Sequence, residues 1–509
     1  MNSKRLAINM IANLIAFGVQ FAINMFLTPY IIKHLGNEAY AFVPMSNNIA
    51  SYASIITVAL SSMSARFISV EYNRGNMKDA NMYFNSVLVA NVILALFLTI
   101  PSVLVVAFSG DILNIPEGLH IDVGITLGFA LASMLVTVFF SVYSNVYFVK
   151  NRLDIKARNN IWGNVMKVLV LLLCFGFLPP RIYYITGTMF LVTLGCCMVS
   201  MYDTRRLLPE IKVGLSEFRK KAVITLLSCG IWNSVNQLSS VLLSALDLLL
   251  ANVLVGASAS GMYAVAKTVP NFIQSLLGVM VAVFIPEFTT LYAQERREEL
   301  LQSINFSVKM LGATITLPIA FLLVFGEEFF RVWVPTQDAV MLQGLSVLTV
   351  IPLVVSGGIN TLFNVFTVTN RLKIPSIVLL ISGLMNTGTT VVLMKYTNLG
   401  VWSIPLVSCV ILIVKNLTFT PVYAAHCLNE KWHVFYKAIF KSVICALCMT
   451  AVCVVYKMCV SVDGWFGLIA AAGICSLITL AINFMVVFDK KEKRRIKEYM
   501  KSKFKQGAL

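Results

Sequence analysis

The stretch YAVAKTVPNFIQ, Tyr263 to Gln274, decides how the chain is read. It lies inside a long apolar run, yet carries a lysine near its middle. Burying an unpaired ammonium in hydrocarbon is costly, so such a residue marks either a pairing or a site. Lys267, Asn271 and Gln274 follow one another at helical spacing, which draws a polar stripe down an otherwise apolar helix.

The neighbouring sequence repeats the apolar theme from end to end. Hydrophobic residues make up 58% of the 509 and charged residues 12%, with a mean hydropathy of +0.82. Soluble domains run at roughly 45–50% apolar and about 25% charged. Apolar runs of helix-spanning length recur at about 9–32, 41–65, 82–109, 122–148, 159–178, 182–201, 222–255, 260–285, 303–325, 341–369, 375–394, 399–425, 436–457 and 465–488. They predict an all-α polytopic membrane protein of fourteen transmembrane helices. A β-barrel would show short alternating segments, and the sequence has none. Spans seven and ten are long enough to be tilted or broken. Residues 1–8 read as a short basic leader into the first span, with no cleavable signal peptide.

Charge sets the expected orientation. With both termini cytoplasmic, 31 of the 40 Lys and Arg fall on cytoplasmic segments. Five fall outside (Lys33, Arg181, Arg331, Lys395, Lys457) and four within spans (Lys167, Lys267, Lys309, Lys415). That asymmetry is the positive-inside pattern. The basic tail, residues 489–509, reads as a flank meeting anionic lipid rather than a nucleic-acid binder. The eleven cysteines lie almost wholly in the spans; Cys445 and Cys448 form a CxxC with no histidine nearby, so no metal or cofactor is expected.

Shifting the sequence by 220 residues brings the halves into register. Asn13 falls on Asn233, Gly36 on Gly256, Tyr72 on Tyr292 and Asn85 on Asn305; after a three-residue gap Pro101 and Phe108 fall on Pro318 and Phe325. A displacement of six helices preserves orientation, so the expected architecture is two six-helix lobes related by a pseudo-twofold axis along the membrane normal. The lobes are residues 1–221 and 222–425, with two further helices in 426–488. Asn9, Asn13, Gln20 and Asn24 share one face of span one, as do Asn233, Gln237, Ser240, Ser244 and Asp247 on span seven. Asn47, Ser51 and Ser54 make a stripe on span two that the repeat superposes on Lys267, Asn271 and Gln274. Such residues commonly join packed helices by hydrogen bonds. Four stripes at corresponding places point instead to a central, water-filled, ligand-lining cavity.

The order of spans, the LGNEAY turn (Leu35–Tyr40), SARFISVEYNRGN (Ser64–Asn76) and its counterpart IPEFTTLYAQERRE (Ile285–Glu298) resemble the polysaccharide-exporter branch of the multidrug/oligosaccharidyl-lipid/polysaccharide (MOP, MATE-like) flippase superfamily, and within it the Wzx-type flippases of O-antigen or capsule repeat units. The resemblance implies translocation of undecaprenyl-diphosphate-linked oligosaccharides from the inner to the outer leaflet of the bacterial cytoplasmic membrane, through a cationic cavity. It also implies association with a glycan polymerase and glycosyltransferases.

The charges agree with that contrast. Lys267, Lys415 and Lys167 lie inside spans, whereas Asp247 is the one acid clearly within them. Lys267, Lys415 and Arg66 are the expected diphosphate contacts, since the lysine ammonium groups suit a compact dianion; Arg66, at the inner end of span two, reads equally as an ordinary topology charge. Asn13, Gln20, Asn24, Asn47, Ser51, Asn233, Gln237, Ser244, Asn271 and Gln274 are the expected glycan-lining set. Asp247 either pairs with Lys267, which the hairpin of spans seven and eight brings to its depth, or binds a coupling H⁺ or Na⁺. Lys309 and Lys167 also suit snorkelling to an interface. Gly357-Gly358, after Pro352, is an expected break in span ten, and EYNRGNMKDANMYFN an expected interfacial link. With no GxxxxGK[ST] loop, ATP hydrolysis by this chain is not expected. Two rival readings are a multidrug or small-cation antiporter, disfavoured by the scarcity of intramembrane acids, and a membrane glycan polymerase or glycosyltransferase, disfavoured by short loops with only scattered acids. A non-transporting scaffold for glycan machinery is a third.

Overall fold

The computed structural model describes residues 3–214, 217–487 and 492–493, with the side chains of 3–17, 20 and 486 outside that description. Every regular element among the described residues is helical. Eleven helices are long and apolar enough to cross a membrane. Two bent pairs, Phe21–Tyr52 with Ser54–Asn73 (62°) and Lys220–Ala245 with Asp247–Leu254 (44°), bring the number to thirteen. The first expected span, 9–32, lies mostly where side chains are not described; its helix continues to Tyr52 through a kink at Gly36, where φ is 84°. The break expected in span seven is the 44° bend. Span ten also breaks, but between Ile359 and Leu362, after the two glycines rather than at them. Gly357 and Gly358 are there for close packing: a Cβ on Gly358 would sit 2.5 Å from the Val308 carbonyl oxygen.

The backbone repeats at the interval read from the sequence. Helices begin at Met77 and Arg297, His120 and Ala339, Leu153 and Lys373, Tyr183 and Ser403, each pair 219 or 220 residues apart. Positive-φ corners do the same: Gly36 and Gly256, Gly75 and Glu295, Asn151 and Asn370. A left-handed corner is a strong geometric constraint because few side chains tolerate it. The expected link after Asn73 is one such corner, a turn so tight that the next helix starts at Met77, capped where the Asn76 side chain accepts from the Asp79 amide at 3.3 Å.

The helices pack as two compact units, residues 1–265 with 376–404 and residues 266–375 with 405–509. These boundaries differ from the lobes drawn from the repeat. The first unit has a core around Phe84, Tyr143, Tyr147 and Leu226. Its helices approach closely enough that a Cβ on Gly230 would run into the Ala59 carbonyl. The second has cores around Phe288, Ile304 and Phe366 and around Phe325, Met449 and Cys453. Acids that looked scattered in the sequence pair with nearby cations: Asp122 with Arg181 at 3.3 Å, Glu328 with Lys457 at 2.5 Å, and Glu327 with Arg331.

Candidate functional site

In the first unit the polar site is built on the break in helix seven. Residues 241–245 form one π turn, closed by the Leu246 amide on the Val241 carbonyl at 3.0 Å, before the α-helix resumes at Asp247. A π turn carries one extra residue and leaves carbonyls turned outward, which in a membrane must find other donors. They do. Asn48 Nδ2 and Tyr52 OH each donate to the Ala245 carbonyl at 3.1 Å. Thr387 Oγ1 donates to the Leu242 carbonyl at 2.8 Å, and Asn386 Nδ2 to the Leu243 carbonyl at 3.3 Å. Ser51 donates to the Asn48 carbonyl at 2.6 Å, bracing the same turn of its own helix.

The extra residue also corrects the sequence-derived stripe. Each residue advances an α-helix by about 100°, so a π turn at 241–245 moves whatever follows out of register with Asn233 and Gln237. Ser240 is exposed and Ser244, which donates to the Ser240 carbonyl, half-buried. Asp247 is 4% exposed and accepts from the Tyr263 hydroxyl at 3.3 Å. Lower on the same helix, Asn233 Nδ2 donates to Ser62 Oγ at 2.9 Å. Among the described residues Asn47 reaches the Met189 sulfur alone, at 4.0 Å. Gln237 and Asn24 are half-buried with no hydrogen bond among the described residues. Arg66 is exposed and has no ion pair among them. Asn9, Asn13 and Gln20 lie outside the described side chains.

The second unit holds Lys267, Lys309 and Lys415, while Lys167 lies in the first. Lys267 is 8% exposed, and neither it nor Asp247 is without a partner. Three residues on, Pro270 supplies no amide hydrogen to the carbonyl of Ala266 four residues before it. The buried Ser346 hydroxyl fills that place at 2.7 Å. Asn271 and Gln274 are exposed, so the stripe runs from a buried head to an accessible foot. Lys415 is half-buried; its ammonium stands over the Phe363 ring at 5.4 Å and has no carboxylate partner among the described residues. Lys309 does not snorkel. It is 6% exposed and pairs with Glu492 at 2.8 Å, because the tail returns a carboxylate to it.

The sequence reading missed Asn48, Tyr52, Asn386 and Thr387, which became visible only with the π turn, and Ser346, whose signal was the proline at 270. It also missed Asp203, just past the expected end of span six. That carboxylate is 8% exposed and accepts from Tyr147 OH at 2.8 Å and from Asn159 Nδ2 at 3.4 Å.

A family model described as "Polysaccharide biosynthesis protein" matches residues 5–292. The "Uncharacterized membrane protein EpsK" of Bacillus subtilis (strain 168) is 32% identical over 508 residues, covering 98% of this chain and 99% of that protein. Among solved structures, a MATE in complex with MaL6 matches with a TM-score of 0.60 at 16% identity, over 84% of this chain and 96% of that one. The lipid II flippase MurJ, in an inward closed conformation, matches with a TM-score of 0.58 at 12% identity, over 92% and 99%. This chain is a member of the polysaccharide biosynthesis protein family, built on the fold shared by the MATE transporters and MurJ.

Proposed function

We propose that this protein is a flippase for lipid-linked oligosaccharides, carrying undecaprenyl-diphosphate-linked repeat units of a surface polysaccharide from the inner to the outer leaflet of the bacterial cytoplasmic membrane. The observation that carries the reading is Lys415: an ammonium inside a membrane-spanning helix, resting on an aromatic face with no carboxylate to neutralise it among the described residues. Such a group is held where an anion arrives. Lys267 is the second cation, and Arg66 meets the phosphates at entry. The amides and hydroxyls at helices one, two, seven and eight suit a hydroxyl-rich glycan, as donors and acceptors of low charge. The polyprenyl tail stays in lipid while two repeat-related lobes rock about the head group.

No ATP is needed. Each elementary charge crossing the membrane is worth about 2.3 kcal/mol per 100 mV, so two negative charges moving outward gain about 4–5 kcal/mol per 100 mV. Asp247, buried where helix seven resumes, is the place for a coupling H⁺ or Na⁺. The role is transport, without a catalytic step.

The test is Lys415→Ala, alone and with Lys267→Ala, in cells whose lipid-linked repeat units are probed for access from the outer face. At matched protein level, export falls at least tenfold in the single variant and to background in the double. Unchanged export in the double variant removes the diphosphate clamp. Lost drug resistance with intact glycan export in Asp247→Asn turns the reading to a cation antiporter.

A further inference from the structure

Helices Leu153–Phe177 and Tyr183–Leu207 leave a crevice of about 610 Å³ between them, and its lining includes none of the residues assigned above to the flipped glycan or its diphosphate. One wall is a ladder at four-residue spacing, Arg158, Trp162, Met166 and Val170; the other is Leu191, Gly195 and Val199. The ladder from 158 to 170 climbs about 18 Å at 1.5 Å per residue, close to one leaflet of a ~30 Å hydrocarbon core. The floor is shut by close packing, since a Cβ on Gly163 would lie 3.0 Å from Val192. At Gly195 the wall stands open, because a Cβ there would meet nothing within 4 Å.

The two ends differ in chemistry. One is apolar throughout. The other is basic: Arg158 and Lys156 start one helix, and Arg205 and Arg206 finish the other. Arg152 nearby is held by Asp154 at 3.0 Å. Arg158 has neither an ion pair nor a hydrogen bond among the described residues. Its neighbour Asn159 is committed inward, donating to Tyr147 OH at 3.1 Å, and the Asp203 carboxylate is occupied by the same pair of side chains. Arg158 is therefore the basic side chain of that end that lines the crevice, unneutralised among the described residues, with Trp162, 59% exposed, one helical turn further along.

We propose that this crevice is a binding site for an anionic phospholipid, with one acyl chain along the groove past Gly195 and the phosphate on Arg158. The proposal rests on the membrane orientation set by charge and not on the flippase reading. By the positive-inside rule the basic end is cytoplasmic, so the lipid belongs to the inner leaflet. A basic group at an anionic surface sets a preference of about fivefold for an anionic over a zwitterionic head group.

The experiment is native mass spectrometry of the full-length protein with equimolar phosphatidylglycerol and phosphatidylcholine of matched chains. The wild type retains phosphatidylglycerol about fivefold over phosphatidylcholine. Arg158→Ala abolishes that preference while keeping lipid, and Lys156→Ala, equally basic but outside the groove, leaves it intact. Gly195→Trp lowers retention of both lipids at least fivefold, with elution and melting temperature unchanged to show that it folds. An undiminished preference in Arg158→Ala, an equal loss in Lys156→Ala, or full retention in a folded Gly195→Trp overturns the site.

Discussion

The break in helix seven is held by redundant donors, and redundancy has a measurable signature. Asn48 Nδ2 and Tyr52 OH reach the same Ala245 carbonyl, both at 3.1 Å. Interhelical hydrogen bonds in membranes average about 0.6 kcal/mol in double-mutant cycles. Tyr52→Phe or Asn48→Ala alone leaves the carbonyl one donor, so each single variant loses on the order of 0.6 kcal/mol. The double variant leaves a turned-out carbonyl with neither side-chain donor, and the desolvation penalty of about 1–3 kcal/mol applies in full. The expected coupling between the two sites is therefore about 1 kcal/mol or more, in the direction of synergy. Reversible unfolding in mixed micelles, run as a double-mutant cycle, reads this directly. Losses that add within about 0.3–0.5 kcal/mol refute the shared-acceptor account. A large loss in either single variant also refutes it, because the remaining donor should then have sufficed.

Gly230→Ala forces a methyl against the Ala59 backbone carbonyl, and overpacking of this kind costs about 1–3 kcal/mol, visible as a lower melting temperature; Gly195→Ala, facing open space, leaves it unchanged. Lys309 and Glu492 make a buried pair, so Lys309→Met alone destabilises by about 3–5 kcal/mol, and adding Glu492→Met restores most of the loss. The side chains of that pair are 7% and 18% exposed, so screening by salt is weak, and the loss survives about 1 M NaCl, where the Debye length is only about 3 Å. Phe363→Leu removes the aromatic face under Lys415, worth about 0.5–2 kcal/mol. If Lys415 binds the diphosphate, this variant changes export affinity without changing protein level. Glu295→Gly relieves a left-handed corner at φ 55° and stabilises by up to about 1 kcal/mol in the same unfolding assay.

Hydropathy alone was enough for the helical class, since twenty apolar residues in a row have few other fates. Even the 220-residue repeat was visible, because corners such as Gly36 and Gly256 keep a residue that their geometry demands. The site was less legible, for a local reason. A helical wheel assumes one rotation per residue, and the extra residue at 241–245 broke that assumption between Ser240 and Asp247. Nothing in VLLSA announces a π turn. The partners of the freed carbonyls, Asn386 and Thr387, lie some 140 residues further along and can be named only from packing. Pro270 was the opposite case: the missing amide is written in the sequence, and only the identity of its replacement, Ser346, needed coordinates. Gly357-Gly358 misled because glycine serves both flexibility and close approach, and here Val308 and Ile315 show that it is the second.

The duplication visible in the corners has one more consequence. Carried across the 220-residue interval, Lys267 corresponds to Asn47, Lys415 to Gly195 and Asp247 to Leu27, so each charged residue has an uncharged twin. Two identical subunits meeting on a twofold axis must offer every group in duplicate and cannot tell one end of a guest from the other. Fusing the copies lifts that restriction. A single polypeptide can keep a cation on one side only, and so can hold a molecule whose head, middle and tail are chemically unlike in a single direction.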